Sequence, residues 1–333
     1  MQKAWLYEEH GPKEVLKLED IPIPSPKANQ LLIRVHAAAL NPFDVKLRWN
    51  LVACLDLPVV PGCDMAGVVV AKGGEVLKFD VGDEVYGSIH DFSAQDGLKW
   101  LGTLAEFIVV EEDLVATKPR NLSFEEAASL PLAIQTAIEG FRVADFRQGQ
   151  SVFVVGGAGG VGTLVVQLAK HVYKASKVAA TTSTKKVEFV KSLGADYVVD
   201  YTKIRYEEVV EKYDLVYDTI GDSRESCVVA KESAPVIDIT WPPSNARARH
   251  SGLTVSGEIL EKIRPCLENG KVKAVIDPKG PFPVWDVIRA FGYLETGRAR
   301  GKIVISSFPF SWKNSSVGGF CNTVEDGGCP NKK

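Results

Sequence analysis

Ser151-Val152-Phe153-Val154-Val155-Gly156-Gly157-Ala158-Gly159-Gly160-Val161-Gly162 runs without interruption into Thr163-Leu164-Val165-Val166-Gln167-Leu168-Ala169-Lys170. An apolar, β-branched run, a glycine-rich turn and an amphipathic segment follow one another, which is the order strand, tight turn, helix. Glycine allows the positive φ values such a turn needs and lets the backbone come close to a bound pyrophosphate. Unpaired amides at the start of the helix would then face the phosphates. Gly157, Gly159 and Gly162 fit the spacing G-x-G-x-x-G, and Gly160 and Val161 lie inside it. The spacing alone is weak. Its place between a strand and a helix within a β-α series makes it a dinucleotide-binding turn.

The end of the next strand decides between the two nicotinamide cofactors. A chain that prefers NAD carries an acid there to accept hydrogen bonds from the ribose diol. This chain reads Ala180-Thr181-Thr182-Ser183-Thr184-Lys185-Lys186, with no carboxylate before Glu188. Hydroxyl and ammonium groups suit a 2′-phosphate, so NADPH is the expected cofactor. Ser183 or Thr184 can also cap the following helix, which is compatible with that role.

Outward from the turn, strands are expected at residues 151–155, 177–182, 197–200, 214–218, 236–239 and 253–256, with helices at 163–173 and 185–193. That alternation predicts a parallel sheet wrapped by helices. Before residue 120 the chain reads as short strands, at 31–36, 66–71, 84–87 and 105–110, separated by Pro and Gly. Helices at 258–268 and 284–294 and strands at 272–276 and 302–305 then return to that first domain. The fold class is α/β: a β-rich domain at residues 1–122 and 259–309, a doubly wound parallel-sheet domain at 123–258, and a disordered tail at 310–333.

Composition excludes several classes of function. The 333 residues are 45% hydrophobic and 24% charged, with 39 Lys and Arg against 42 Asp and Glu. A net charge of -3 gives no general attraction to nucleic acid or anionic lipid, and no apolar stretch is long enough to span a bilayer. The beginning, Met1-Gln2-Lys3-Ala4-Trp5-Leu6, has no apolar signal core, which points to the cytoplasm. Six scattered cysteines without a Cys-x-x-Cys pair suit free thiols in a reducing compartment and argue against a structural zinc lobe.

Further stretches give the chain a likeness: Ala37-Ala38-Ala39-Leu40-Asn41-Pro42-Phe43-Asp44-Val45-Lys46, Pro61-Gly62-Cys63-Asp64-Met65-Ala66-Gly67, Val81-Gly82-Asp83-Glu84-Val85-Tyr86-Gly87 and Gly297-Arg298-Ala299-Arg300-Gly301-Lys302. Together with the glycine turn they resemble the medium-chain dehydrogenase/reductase superfamily, in particular its plant quinone and enone oxidoreductases. The resemblance covers roughly residues 1 to 309. It implies a GroES-like catalytic domain and a Rossmann domain with the active site in the cleft between them. It also places Gly160 and Val161 at the pyrophosphate, and Ser183, Thr184, Lys185, Lys186 and Tyr201 around the 2′-phosphate. By the same likeness Ile239, Leu253 and Arg298 line the cofactor.

The same comparison implies no metal. Where zinc-dependent relatives place Cys, His and Cys, this chain has Asn41, Cys63 and the ligand-free run Leu130-Pro131-Leu132-Ala133. What remains is hydride transfer to a carbon that is already electrophilic, in an enone, an alkylidene furanone or a quinone. Lys46 faces the nicotinamide side in the resemblance and is the candidate for the developing enolate, with Asn41 and Tyr86 as further polar candidates. Lys46 read without the family is a solvated surface charge. The partner is a small molecule, with a homodimer as the protein partner envisaged. A non-catalytic NADPH-binding protein and, less favoured, a zinc alcohol dehydrogenase stand as alternatives.

Overall fold

The computed structural model describes residues 1–51, 56–89 and 99–306. The expected disordered tail at 310–333 lies outside them. Two sheets organise the chain. The first has seven strands, in the order Phe282–Pro283, Ile303–Ser306, Gln30–Leu40, Asp64–Lys72, Glu84–Ser88 and Val115–Thr117, with Phe107–Glu111 pairing along Gln30–Leu40. The C-terminal strand therefore inserts beside the long N-terminal one, with Ile303 opposite Leu40.

The second sheet has six parallel strands in the order Tyr197–Asp200, Lys177–Thr182, Ser151–Val155, Leu215–Asp218, Val236–Asp238 and Ala248–His250. Chain order reverses at Ser151–Val155, which makes its carboxyl end the switch point where an open parallel sheet opens a ligand crevice. Continuously apolar strands such as Val152–Val155 are fully buried, as both faces are covered.

One buried cluster joins the sheets, running from Ala37, Ala39, Ala66 and Tyr86 through Leu130, Ile134 and Ala137 to Val152 and Val154. The helix Pro131–Val143 carries the middle of it. Gly140 in that helix is required by packing, because a Cβ there would collide with the Tyr217 ring, whose hydroxyl donates to the Thr136 carbonyl at 2.8 Å.

Two strand expectations fail. Residues 253–256 alternate like a strand, but Ser256 is the N-cap of the helix Gly257–Glu268, accepting from the Glu258 amide, and its own N–H donates to Gln135. The sheet is closed earlier, by Ala248–His250. In 272–276 only Ile276 bridges, to Lys302, since the Lys273 N–H is taken by Gln167. The helix expected at 163–173 forms as Gly162–Gln167 followed by a wider π turn at Leu168–Val172.

Candidate active site

The glycine turn adopts the geometry its composition allows. Gly156 has φ +81°, its N–H donates to the Thr181 hydroxyl at 3.0 Å, and the Gly157 N–H donates to the Thr181 carbonyl at 2.9 Å. A Cβ at Gly162 would strike the Gly156 carbonyl oxygen, so the strand and the helix can approach only with glycine there. At Gly159 a Cβ would meet nothing nearer than 3.5 Å, which leaves room above the turn.

Next to the turn lies a basic edge. Ser183 precedes the short turn Thr184–Lys186, and Lys186 Nζ donates to the Arg298 and Ala299 carbonyls at 2.8 and 3.0 Å. Burial draws the Lys186 ammonium below the usual lysine range, and Arg298 and Arg300 add repulsion. Lys185 and Tyr201 are exposed beside them. Two features differ from the sequence reading. Thr184 is not free, because its hydroxyl donates to Asp200 at 2.5 Å. The fold also brings in the carboxylate that the linear stretch lacks, and the hydroxyls of Thr184 and Thr202 hold Asp200 ionised, down to about 2. Arg300, which sequence reasoning left unassigned, joins this edge, with its guanidinium 4.8 Å from the Phe189 ring and its backbone N–H donating to Asp277 at 2.7 Å. Its signal was the basic alternation of Arg298, Arg300 and Lys302.

Opposite the turn, the first sheet presents a buried polar cluster. Asn41 ends the long strand and starts the helix Pro42–Arg48. Its side-chain N–H donates to Asp64 at 2.9 Å, and its oxygen accepts from Lys302. Asp64 also accepts from the Leu132 N–H at 2.8 Å and from Lys302 at 3.1 Å. Asp44 accepts from the Asn41 N–H at 2.7 Å, the Gly62 N–H at 3.2 Å and the Cys63 thiol at 3.4 Å. Burial, more than the nearby Asp64, pushes the Asp44 carboxyl up to about 6, and burial also raises the Cys63 thiol. Asn41 is therefore a hub of the cluster, with both side-chain ends engaged.

Lys46 lies half-buried on the helix Pro42–Arg48, and among the described residues no acid pairs with it. Tyr86 does not reach the cleft. It is fully buried and its hydroxyl donates to the Leu260 carbonyl at 3.2 Å, because strand alternation turns it into the core joining the sheets. Ile239 and Leu253 are partly buried beyond the strand Val236–Asp238.

The donor set does not fit zinc. Asn41 is bound to a lysine and a carboxylate, Cys63 is a thiol held on Asp44, and Leu132 offers only its backbone N–H. Among the described residues no group of three or more His, Cys, Asp and Glu has a metal-binding arrangement.

At the carboxyl ends of two adjacent parallel strands, Asp218 and Asp238 are register neighbours, and both are buried with one oxygen unpartnered. Burial, then the charge of Asp238, pushes Asp218 up to about 6. An unfolded Asp ionises near 4, so the folded state resists ionisation and stability falls as pH rises from about 4 to above 6. Asp238→Asn should relieve this. It keeps the oxygen that accepts from Thr240 and turns the unpartnered oxygen into a donor beside Asp218. A melting temperature about 2–4 °C higher at pH 8, with a smaller gain at pH 5, is the expected result by scanning fluorimetry. A lower value at pH 8 would refute the pairing.

Comparison with known proteins gives the following. The family model described as the alcohol dehydrogenase GroES-like domain matches residues 27–120, and that described as zinc-binding dehydrogenase matches residues 193–305. The chain is 54% identical over 310 residues to a 2-methylene-furan-3-one reductase of Solanum lycopersicum, covering 92% of this chain and 79% of that one. It is 50% identical over 310 residues to an NADPH-dependent alkenal/one oxidoreductase, chloroplastic, of Arabidopsis thaliana, covering 92% and 80%. Among solved structures, a quinone oxidoreductase from Coxiella burnetii superposes with a TM-score of 0.82 at 31% identity, covering 92% of this chain and 99% of that one.

Proposed function

As the chain belongs to the medium-chain dehydrogenase/reductase superfamily, we propose that it is an NADPH-dependent reductase of the C=C bond in α,β-unsaturated carbonyl compounds, working without zinc. The observation that carries the reading is a dinucleotide turn flanked by Lys186, Arg298 and Arg300, facing a cleft whose fixed cation is a side chain. Its likeness to two reductases of such compounds across 92% of the chain supports the substrate class.

Gly156 to Gly162 would hold the pyrophosphate, and Ser183, Lys185, Lys186, Tyr201, Arg298 and Arg300 the 2′-phosphate end. When bound, NADPH supplies a hydride for the β-carbon of the alkene. The chain's share is to orient the substrate and stabilise charge as it grows on the carbonyl oxygen, and Lys46 is the residue we assign to that oxygen. The enolate then takes a proton from water or from a nearby donor. A cytoplasmic location and a homodimer are further proposals. The edge strand Ala248–His250 would leave room for pairing, and size-exclusion chromatography tests it.

A screen of NADPH oxidation against 2-alkenals, alkylidene furanones and quinones tests the reading. Fast turnover of the enones is expected, and cofactor binding without turnover of any of the three would make the protein a non-catalytic binder. The rate should be unchanged in a strong chelator, whereas a chelator-sensitive rate with stoichiometric zinc would overturn the metal-free mechanism.

A further inference from the structure

Lys302 reaches the buried polar cluster of the first sheet from the far end of the chain. Its ammonium lies on the Asn41 side-chain oxygen and on Asp64, and Asp64 is held in turn by the Leu132 N–H, so one network joins the end of the long strand, the strand Asp64–Lys72 and the start of the helix Pro131–Val143. Lys302 is 6% exposed, Asn41 3% and Asp64 0%. Taking such charges out of water is costly unless they are paired and hydrogen-bonded, and here each is. The acceptors come from segments far apart in sequence: Lys302 is 238 residues from Asp64 and 261 from Asn41.

The stem of Lys302 reaches this place by crossing the glycine turn. The Gly301 N–H donates to the Ala158 carbonyl at 2.9 Å, and Gly301, at φ +81°, steers the chain inward. A Cβ on Gly160 would come within 2.9 Å of the lysine Cδ. Gly160 therefore has a second reason to be glycine besides the approach of a phosphate.

Resting on the reading of the cleft above, we infer that Lys302 is a positioning residue for the helix that carries Lys46. It neutralises Asp64, fixes Asn41 at the head of the helix that carries Lys46, and ties that helix to the glycine turn. Two of its three ammonium donors are committed to Asn41 and Asp64, so the charge is fixed in place.

The test is a double-mutant cycle of Lys302→Met and Asp64→Asn, read in two ways. Without cofactor, each single variant strands a buried partner and should melt about 5–15 °C lower, while the double variant should regain more than half of the loss. This reading needs no substrate, so it separates failure of the cluster from failure of the enone assignment. In turnover, Lys302→Met should lose about tenfold in kcat, with KM for NADPH within about threefold of the parent. If that variant does not accumulate folded, Lys302→Gln, which keeps a donor for Asp64 but not the charge, carries the same kcat reading. Additive melting losses would overturn the inference. So would an unchanged kcat, or a loss confined to KM for NADPH, which would make Lys302 a cofactor contact only.

Discussion

Lys46→Ala should lower kcat for enone reduction by about 10- to 1,000-fold while KM for NADPH stays within a few-fold of the parent, by comparison with removal of one oxyanion donor. An interaction made mainly as charge develops on the substrate oxygen appears in kcat, whereas uniform binding would appear in KM. The helix under Lys46 is anchored independently of it, through Asp44 at its start and the buried Leu47 and Arg48 at its end. Alanine is also a good helix former, so the loss would not come from melting this segment. Among the described residues no acid pairs with the ammonium. Steady-state kinetics with a 2-alkenal check the expectation, and an unchanged kcat would return Lys46 to the role of a half-buried surface charge.

Lys186→Glu should raise KM for NADPH between ten- and a hundredfold and change KM for NADH much less. One charge-assisted contact is worth roughly 1.5–3 kcal/mol, and reversing the charge adds repulsion. The setting strengthens the expectation. Asp200, held ionised at this edge by two threonine hydroxyls, already opposes a phosphate, so binding depends on the cations around it. Lys186 also fastens Arg298 and Ala299 through their carbonyls, and a carboxylate in its place would repel them. Comparison of the two cofactors under identical conditions decides the point. Equal losses with both would remove the 2′-phosphate assignment.

The glycine turn was legible because its information is local. A positive φ at Gly156 and the close approach of Gly162 to the Gly156 carbonyl are demands that neighbouring residues make on each other, and only glycine meets them. The strands at 151–155, 177–182 and 197–200 were legible for the same reason, as apolar runs with turn residues at their ends. The stretch 253–256 was misread because alternation cannot tell a strand from the lead-in to a capped helix; the cap hydroxyl of Ser256 and its bond to distant Gln135 settled the matter.

By itself, then, the sequence determined the dinucleotide turn, the α/β class and the basic stretch that favours NADPH. Tertiary structure alone decided which polar groups are free to act. It buried Tyr86 in the core joining the sheets, placed Asp200 on Thr184, brought Arg300 to the basic edge and seated Lys302 between Asn41 and Asp64. The reason is physical: turn geometry and periodicity are set within a few residues. The partner of a buried charge is set by which segments the two sheets bring together, and for Lys302 those segments come from the opposite end of the chain.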